Sequence, residues 1–259
     1  MRILMVSAEA YPLASTGGLA GVVGSLPGAL AGAGHQVAVA MPFYGKVGLP
    51  GEPEWLGGSF RTFMGEEFGV ARTRLPGTDC PVFLVSRSPL FDREGLYGPR
   101  PGEVWPDNSL RFSFFCRSVL PLLESVFPAD VVHCHDWHAG LVPAYLCDSN
   151  TATVTTIHNL AFQGRFPPSE YHVTGLPPEL YTPEGIELWG SFSFLKAAIV
   201  WADMVTTVSP TYAREIQTPG MGHDLDGVLR SRSDSLEGVL NGIDYEAWNP
   251  SSDPALAEG

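Results

Sequence analysis

The chain has 259 residues, 44% of them apolar and 17% charged, with a formal net charge of -13. A globular chain of this length buries roughly 70–75% of its unfolded surface, so its core needs no staples. The acidic balance excludes nucleic acid and anionic membrane as partners, since no positive field is present to neutralise them; a small phosphate held by backbone amides stays open. Only Lys46 and Lys196 of the fifteen basic residues are lysine, and no function is read from that. Cys80, Cys116, Cys134 and Cys147 form no CxxC pair and no zinc spacing, so reduced, mostly buried thiols of a cytosolic protein are expected. Arg2, a short apolar run and "AEA" imitate a secretory leader, but the run is too short and Glu9 occupies the would-be cleavage site. No stretch reaches the roughly 20 apolar residues of a membrane span, and the expected location is the cytoplasm.

"RILMVSA" reads as a buried strand: short, β-branched and bounded by turn formers. "LAGVVGSLPGALAGAG" places apolar residues at helical spacing with "GAGH" as a stop, and "QVAVAMP" is the next strand. This βαβ unit implies a parallel sheet with right-handed crossovers. In the less regular stretch 45–110, "SFRTFMG", "GVARTRL" and "PVFLVS" are expected strands. "DNSLRFSFFCRSVLPLLESVF" predicts a helix capped by Asp107 or Asn108. "ADVVHCHDW" predicts a strand with a polar tip, "HAGLVPAYLCD" the helix after it, and "ATVTTIHN" repeats that strand design. "GSFSFLKAAIVWA" is read as a helix, "DMVTTVS" as a strand, "PTYAREIQT" as a short helix and "LEGVLNGID" as a final strand. No repeat or low-complexity segment is visible. The expected fold is a doubly wound α/β domain over residues 1–245. The tail from 246 to 259 turns into Pro, Ser, Asp and Gly, as a linker does.

In open parallel sheets ligands sit beyond the carboxyl ends of the strands. Four tips are polar here: "SAEAYPLASTGG", "HCHDWH", "IHN" and "NGID". Gly17 and Gly18 precede a helix whose free N–H groups suit a phosphate, and glycine permits φ > 0 and close approach. A βα loop that merely needs to turn would use the same residues, and neither G-x-G-x-x-G nor a Walker lysine is present. His133, His135, Asp136 and His138 could suggest a metal site. Strand alternation opposes it, because His133 and His135 share a face while His138 belongs to the next element. Asp136 beside Trp137 suits a sugar, with a carboxylate for hydroxyls and a ring for the apolar face. A helix cap is the competing role for Asp136. His158 and Asn159 close a strand, where a histidine is commonly structural. The aromatic residues of 189–201 read as core, and the acidic residues of 224–246 as a solvated face.

Taken in order, "SAEAYPLASTGGLAGVVGSLP", "LFDREGLYG", "DNSLRFSFF", "DVVHCHDWHAGLVPAYL", "TIHNLAFQGRF", "FLKAAIVWADMVTTVSPTYAREI" and "GVLNGIDYEAWNP" resemble the N-terminal half of bacterial glycogen synthases and plant starch synthases, the family 5 glycosyltransferases. The resemblance extends over nearly the whole chain. It implies a GT-B fold, two Rossmann-like domains facing across a cleft, of which this chain is the N-terminal, acceptor-side one and 246–259 the start of the interdomain linker. The C-terminal nucleotide-binding domain is expected to be absent. The implied reaction moves glucose from ADP-glucose, the donor substrate, to the non-reducing end of an α-1,4-glucan with retention, in glycogen biosynthesis, with no cofactor and no metal. By the same resemblance Gly17 and Gly18 meet the donor's diphosphate, and His158 contacts the transferred glucose near the reacting carbon. Asp136, Trp137, Asn159 and Asn241 lie around that glucose, and Tyr97 and Glu9 line the cleft. Catalysis is thereby assigned to His158 and Asp136.

Two residues depart from the family pattern. Its KTGGL loop begins with lysine where this chain has Ser15, and the aspartate of "GGLADV" is here Gly21. Losing a cation beside a diphosphate costs about 1 to 3 kcal/mol. A chain lacking the second half is expected to be inactive by itself. Two other readings stay open: a stand-alone α-glucan-binding or regulatory module without catalysis, to which Ser15 and Gly21 point, and a related GT-B transferase using another nucleotide sugar.

Overall fold

The structure, a computed structural model, describes residues 1–242 and 249–251. The chain opens with β1 (Arg2–Val6), α1 (Gly18–Gly32) and β2 (Gln36–Pro42), followed by β3 (Glu54–Trp55), β4 (Phe60–Arg61), β5 (Glu67–Arg74) and β6 (Pro81–Ser86). After α2 (Asn108–Ser125) come β7 (Val131–His135), α3 (Val142–Leu146), β8 (Ala152–Ile157) and β9 (Arg165–Phe166). The last third holds β10 (Glu187–Leu188), β11 (Ser191–Ser193), α4 (Phe194–Trp201), β12 (Met204–Thr207), α5 (Pro210–Glu215), α6 (Asp226–Ser231) and β13 (Leu236–Gly238).

The main sheet runs β13-β12-β8-β7-β1-β2-β6-β5-β3, parallel from β13 to β6. The expected α/β architecture is present. β5 then pairs antiparallel with β6, β3 and β4; the strands β4, β5 and β6 were expected from the sequence, but their antiparallel pairing and β3 were not. β1 lies at the centre with parallel neighbours on both sides, which is why Leu4, Met5 and Val6 form an unbroken apolar run with no exposure. The chain order reverses direction between β1 and β7. That reversal opens a crevice beyond their carboxyl ends.

Four elements differ from the sequence reading. "SFRTFMG" keeps only Phe60–Arg61 as strand, because Thr62 to Glu66 close a tight turn: Gly65 has φ 83°, and the Thr62 N–H donates to the Glu66 carbonyl at 3.0 Å. "HAGLVPAYLCD" splits into a 3-10 turn, Trp137–Ala139, and α3. Gly140 packs so tightly there that an added Cβ would lie 2.3 Å from the Phe194 carbonyl oxygen. "GSFSFLKAAIVWA" begins as β11, in a small sheet ordered β10-β11-β9, and becomes helix only where Ser193 Oγ accepts the Lys196 N–H at 3.1 Å. Asp107 stands at the N-cap of α2, but its carboxylate forms a two-pronged ion pair with Arg93 and makes no cap bond.

The expected core is in place: Phe112, Phe115, Val119 and Leu122 put the apolar face of α2 into it, and Phe192 and Phe194 are fully buried. Cys80, Cys116 and Cys134 are buried free thiols, while Cys147 is exposed. The 246–259 linker lies largely outside the described residues, as do Ile243 and Asp244 of the last polar tip. No helix among the described residues is long and apolar enough to cross a membrane.

Candidate functional site

The loop after β1 is clasped by one carboxylate. Ser7 Oγ donates to the Glu9 carbonyl at 2.7 Å and accepts the Glu9 N–H at 3.1 Å, which turns the chain. The buried Glu9 side chain then accepts three bonds: from the Thr16 N–H at 2.5 Å, from the Thr16 hydroxyl at 2.7 Å and from the Tyr97 hydroxyl at 2.5 Å. The Tyr11 N–H donates to Ala20 inside α1 at 2.9 Å, so the loop is also tied to the helix it feeds.

Gly17 caps α1 with φ −166° and ψ −161°, extended backbone open to any residue. The glycine pair is therefore not required by a left-handed turn. A Cβ at Gly17, Gly18 or Gly21 would meet nothing within 4 Å, and all three are exposed. Neither a side-chain cap nor an acidic residue covers the first turn of α1. The first-turn amides and the positive end of the helix dipole thus face open space, the arrangement that binds anions. Ser15 is exposed beside them.

At the tip of β7 the backbone takes an unusual path. Asp136 has φ 54° and ψ −172°, a region that is essentially glycine's, at a cost of order 1–3 kcal/mol. The Asp136 N–H donates to the Thr156 carbonyl at 3.0 Å, and the Asp136 carboxylate accepts the His158 N–H at 2.8 Å. The aspartate therefore joins the tips of β7 and β8 and makes no cap bond. Burial raises its pKa to about 7, the N–H groups of His158 and Asn159 pull it down, and the Glu9 charge pushes it up again.

His158 and His135 meet across the same two strands, Nε2 to Nδ1 at 3.0 Å. The rings of His133 and His135 lie 4.2 Å apart, on the shared face that alternation predicts. Burial lowers the pKa of both His158 and His133 to about 4 and holds His135 well below the ordinary histidine value. His138 stacks on Tyr97 at 4.5 Å and is also held far below it by burial. Behind them Tyr44 and Arg111 are buried, and burial lowers the Arg111 pKa. No group of three His, Cys, Asp or Glu among the described residues could hold a metal ion.

Glu9, Tyr97, Asp136 and His158 thus come together at the reversal between β1 and β7. Trp137 differs from an exposed sugar platform: its ring is packed edge-on by Phe112, Phe166 and Phe194 at 4.9, 5.8 and 5.9 Å. It borders a cleft of about 470 Å³ whose walls include Trp105, Asn108, Phe162, Gln163 and Arg165. Asn159 is exposed and folds its carbonyl onto the Ala161 N–H at 3.0 Å. Asn241 is exposed in the segment that follows β13.

Sequence reading missed Thr16, Tyr44 and Arg111, as well as the stacking of His138 on Tyr97 and the role of His135 as partner of His158. Arg111 carried a signal, a charge set inside the apolar run "SLRFSFF". Thr16 meets Glu9 seven positions away within one loop, whereas the His135–His158 contact joins two strands and lies 23 positions apart.

Residues 2–231 match the family model described as the starch synthase catalytic domain. Glycogen synthase 1 of Methylococcus capsulatus is 46% identical over 264 residues, covering 99% of this chain and 53% of that protein. Glycogen synthase 2 of Geobacter metallireducens is 47% identical, covering 98% and 54%. The solved catalytic domain of starch synthase IV from Arabidopsis thaliana, bound to ADP and acarbose, superposes with a TM-score of 0.87 at 31% identity, over 99% of this chain and 54% of that one. The chain spans about half the length of the relatives it matches. Its mostly parallel sheet is that of the N-terminal half of a GT-B glycosyltransferase, and the chain belongs to the family of the starch synthase catalytic domain.

Proposed function

We propose that this chain is the acceptor-side half of an ADP-glucose-dependent glycogen synthase, transferring glucose to the non-reducing end of an α-1,4-glucan with retention. One observation carries the reading. The buried Asp136 carboxyl, the neutral His158 ring and the Glu9-clasped loop meet at three adjacent strand tips, beside a helix start with nothing covering its amides. In this reading the α1 amides receive the diphosphate as its charge develops on leaving. His158 and Asp136 hold the glucose between them, one with a ring nitrogen and the other through its hydroxyls. Gly17 and Gly18 let the phosphates approach, and Ser15 offers a hydroxyl in place of a cation. The cleft beside Trp137, with aromatic walls and amide side chains, receives the acceptor glucan. Glu9 and Tyr97 brace the loop, while Asn159 and Asn241 border the entrance.

Donor and acceptor must be held in line by two walls. The nucleotide grip is accordingly assigned to a second domain beyond residues 1–245, and this chain by itself should incorporate no radiolabelled glucose from ADP-glucose into glycogen. Malto-oligosaccharide titrated into the 15N-labelled chain should shift the amide signals of Trp137, His158 and Gln163. Unmoved signals at millimolar sugar overturn the reading.

A further inference from the structure

His158 is held by a second histidine that the family resemblance does not mention. His135 is fully buried at the end of β7, and its Nδ1 lies 3.0 Å from His158 Nε2. Its other nitrogen, Nε2, is buried without a partner. The free nitrogen of His158, Nδ1, has no partner among the described residues.

Both rings are neutral at pH 7, because burial lowers the pKa of each, and His133 and then His158 lower that of His135 further. A neutral imidazole has one N–H and one bare nitrogen, so one ring must donate and the other accept. If His158 donated from Nε2, His135 would carry its own proton on Nε2, an N–H buried with no acceptor. Orphaned buried donors are the rarer and costlier defect. If His135 donates from Nδ1, only a bare lone pair is left unsatisfied.

We infer that His135 is a positioning residue: it donates from Nδ1 to His158 Nε2 and so fixes His158 as the Nδ1–H tautomer, with a hydrogen-bond donor on its free side. The consequence for sugar handling rests on the proposed transfer. Such a ring gives an N–H to an oxygen of glucose, and it has no lone pair there with which to take a proton. The lock is rigid because β7 and β8 are paired in register, His135 opposite Thr156, and the Asp136 carboxylate holds the His158 backbone.

Long-range 1H–15N spectra of the histidine rings read which nitrogen carries the proton. In the unmodified chain at pH 7, His158 should show a protonated Nδ1 and a bare Nε2, with His135 protonated on Nδ1. A His158 protonated on Nε2 overturns the inference without any variant. His135→Asn keeps an N–H donor close to the position of Nδ1 and should preserve the His158 pattern. His135→Leu removes the donor and should convert His158 to the Nε2–H form or a mixture; an unchanged pattern there also overturns the inference. In a two-domain enzyme carrying these variants, His135→Leu should lower kcat about tenfold, the weight of one misdirected hydrogen bond, with little change in KM, and His135→Asn should recover most of the loss. If no glucosyl transfer is found, the spectra still decide the tautomer, so the two readings fail separately.

Discussion

Asp136 bears two costs at one position: a backbone conformation that side chains avoid, and a carboxyl buried until its pKa reaches about 7. Both are tolerated because its N–H and carboxylate join β7 to β8. Strain kept at a strand tip points to use of that tip. The folded-state pKa lies above the unfolded value of 3.8, so the stabilisation from this group is complete below about pH 4 and is lost as pH rises through 7. Asp136→Asn keeps the oxygen that accepts the His158 N–H and removes the buried charge. It should therefore raise the thermal midpoint at pH 8, with the gain shrinking steadily towards pH 4. A gain independent of pH would contradict the burial argument. His158 and Asp136 were legible as strand-tip residues of a familiar motif, yet the bond between them was not, since nothing in "HCHDWH" or "IHN" reports which strands are neighbours. The Gly17–Gly18 pair was legible as a helix entrance, and of the two reasons the sequence offered, open room for close approach is present while a left-handed turn is not.

Among elements, α1 shows how closely the anion-facing loop is fitted. A Cβ at Gly24 would lie 2.6 Å from the Tyr11 carbonyl oxygen, whereas one at Gly21 would touch nothing. Gly24→Ala should therefore destabilise the chain by about 1–3 kcal/mol through overpacking against the loop backbone. Gly21→Ala should stabilise it by up to about 1 kcal/mol through helix propensity. Urea denaturation of the two variants checks the contrast, and equal midpoints would contradict it. β1, β2, β6 and β8 were readable because each is a run of apolar, largely β-branched residues bounded by turn formers. β9, β10 and β11 were not. They have two or three residues each: β10 and β11 form a short hairpin, Leu188 opposite Ser191, too brief to show an alternating pattern, and β9 joins it through Phe166 and Phe192, 26 positions apart.

At the scale of the whole molecule, an ion pair between a buried arginine and a half-buried glutamate fastens the antiparallel extension to the body. The Arg117 guanidinium, almost fully buried, gives two bonds to the Glu66 carboxylate, at 2.9 and 2.6 Å, and a third to the Val173 carbonyl. Arg117→Ala leaves Glu66 and the Val173 carbonyl without their donor, and with Glu66 partly solvated it should cost about 1–3 kcal/mol. Arg74→Ala, which breaks the fully exposed pair with Asp79, should cost under about 1 kcal/mol. Chemical denaturation distinguishes them. The parallel βαβ plan was legible from alternating strand and helix patterns, whereas "GVARTRL" was legible as a strand but not as the antiparallel partner of "PVFLVS". The Glu9–Tyr97 bond spans 88 positions of the chain, and this has a kinetic corollary. The loop leading into α1 cannot loosen independently of the segment that carries Tyr97. Deuterium uptake at Thr16 and around Tyr97 should proceed at one common rate, as for a single cooperative unit, and slow together when sugar occupies the crevice.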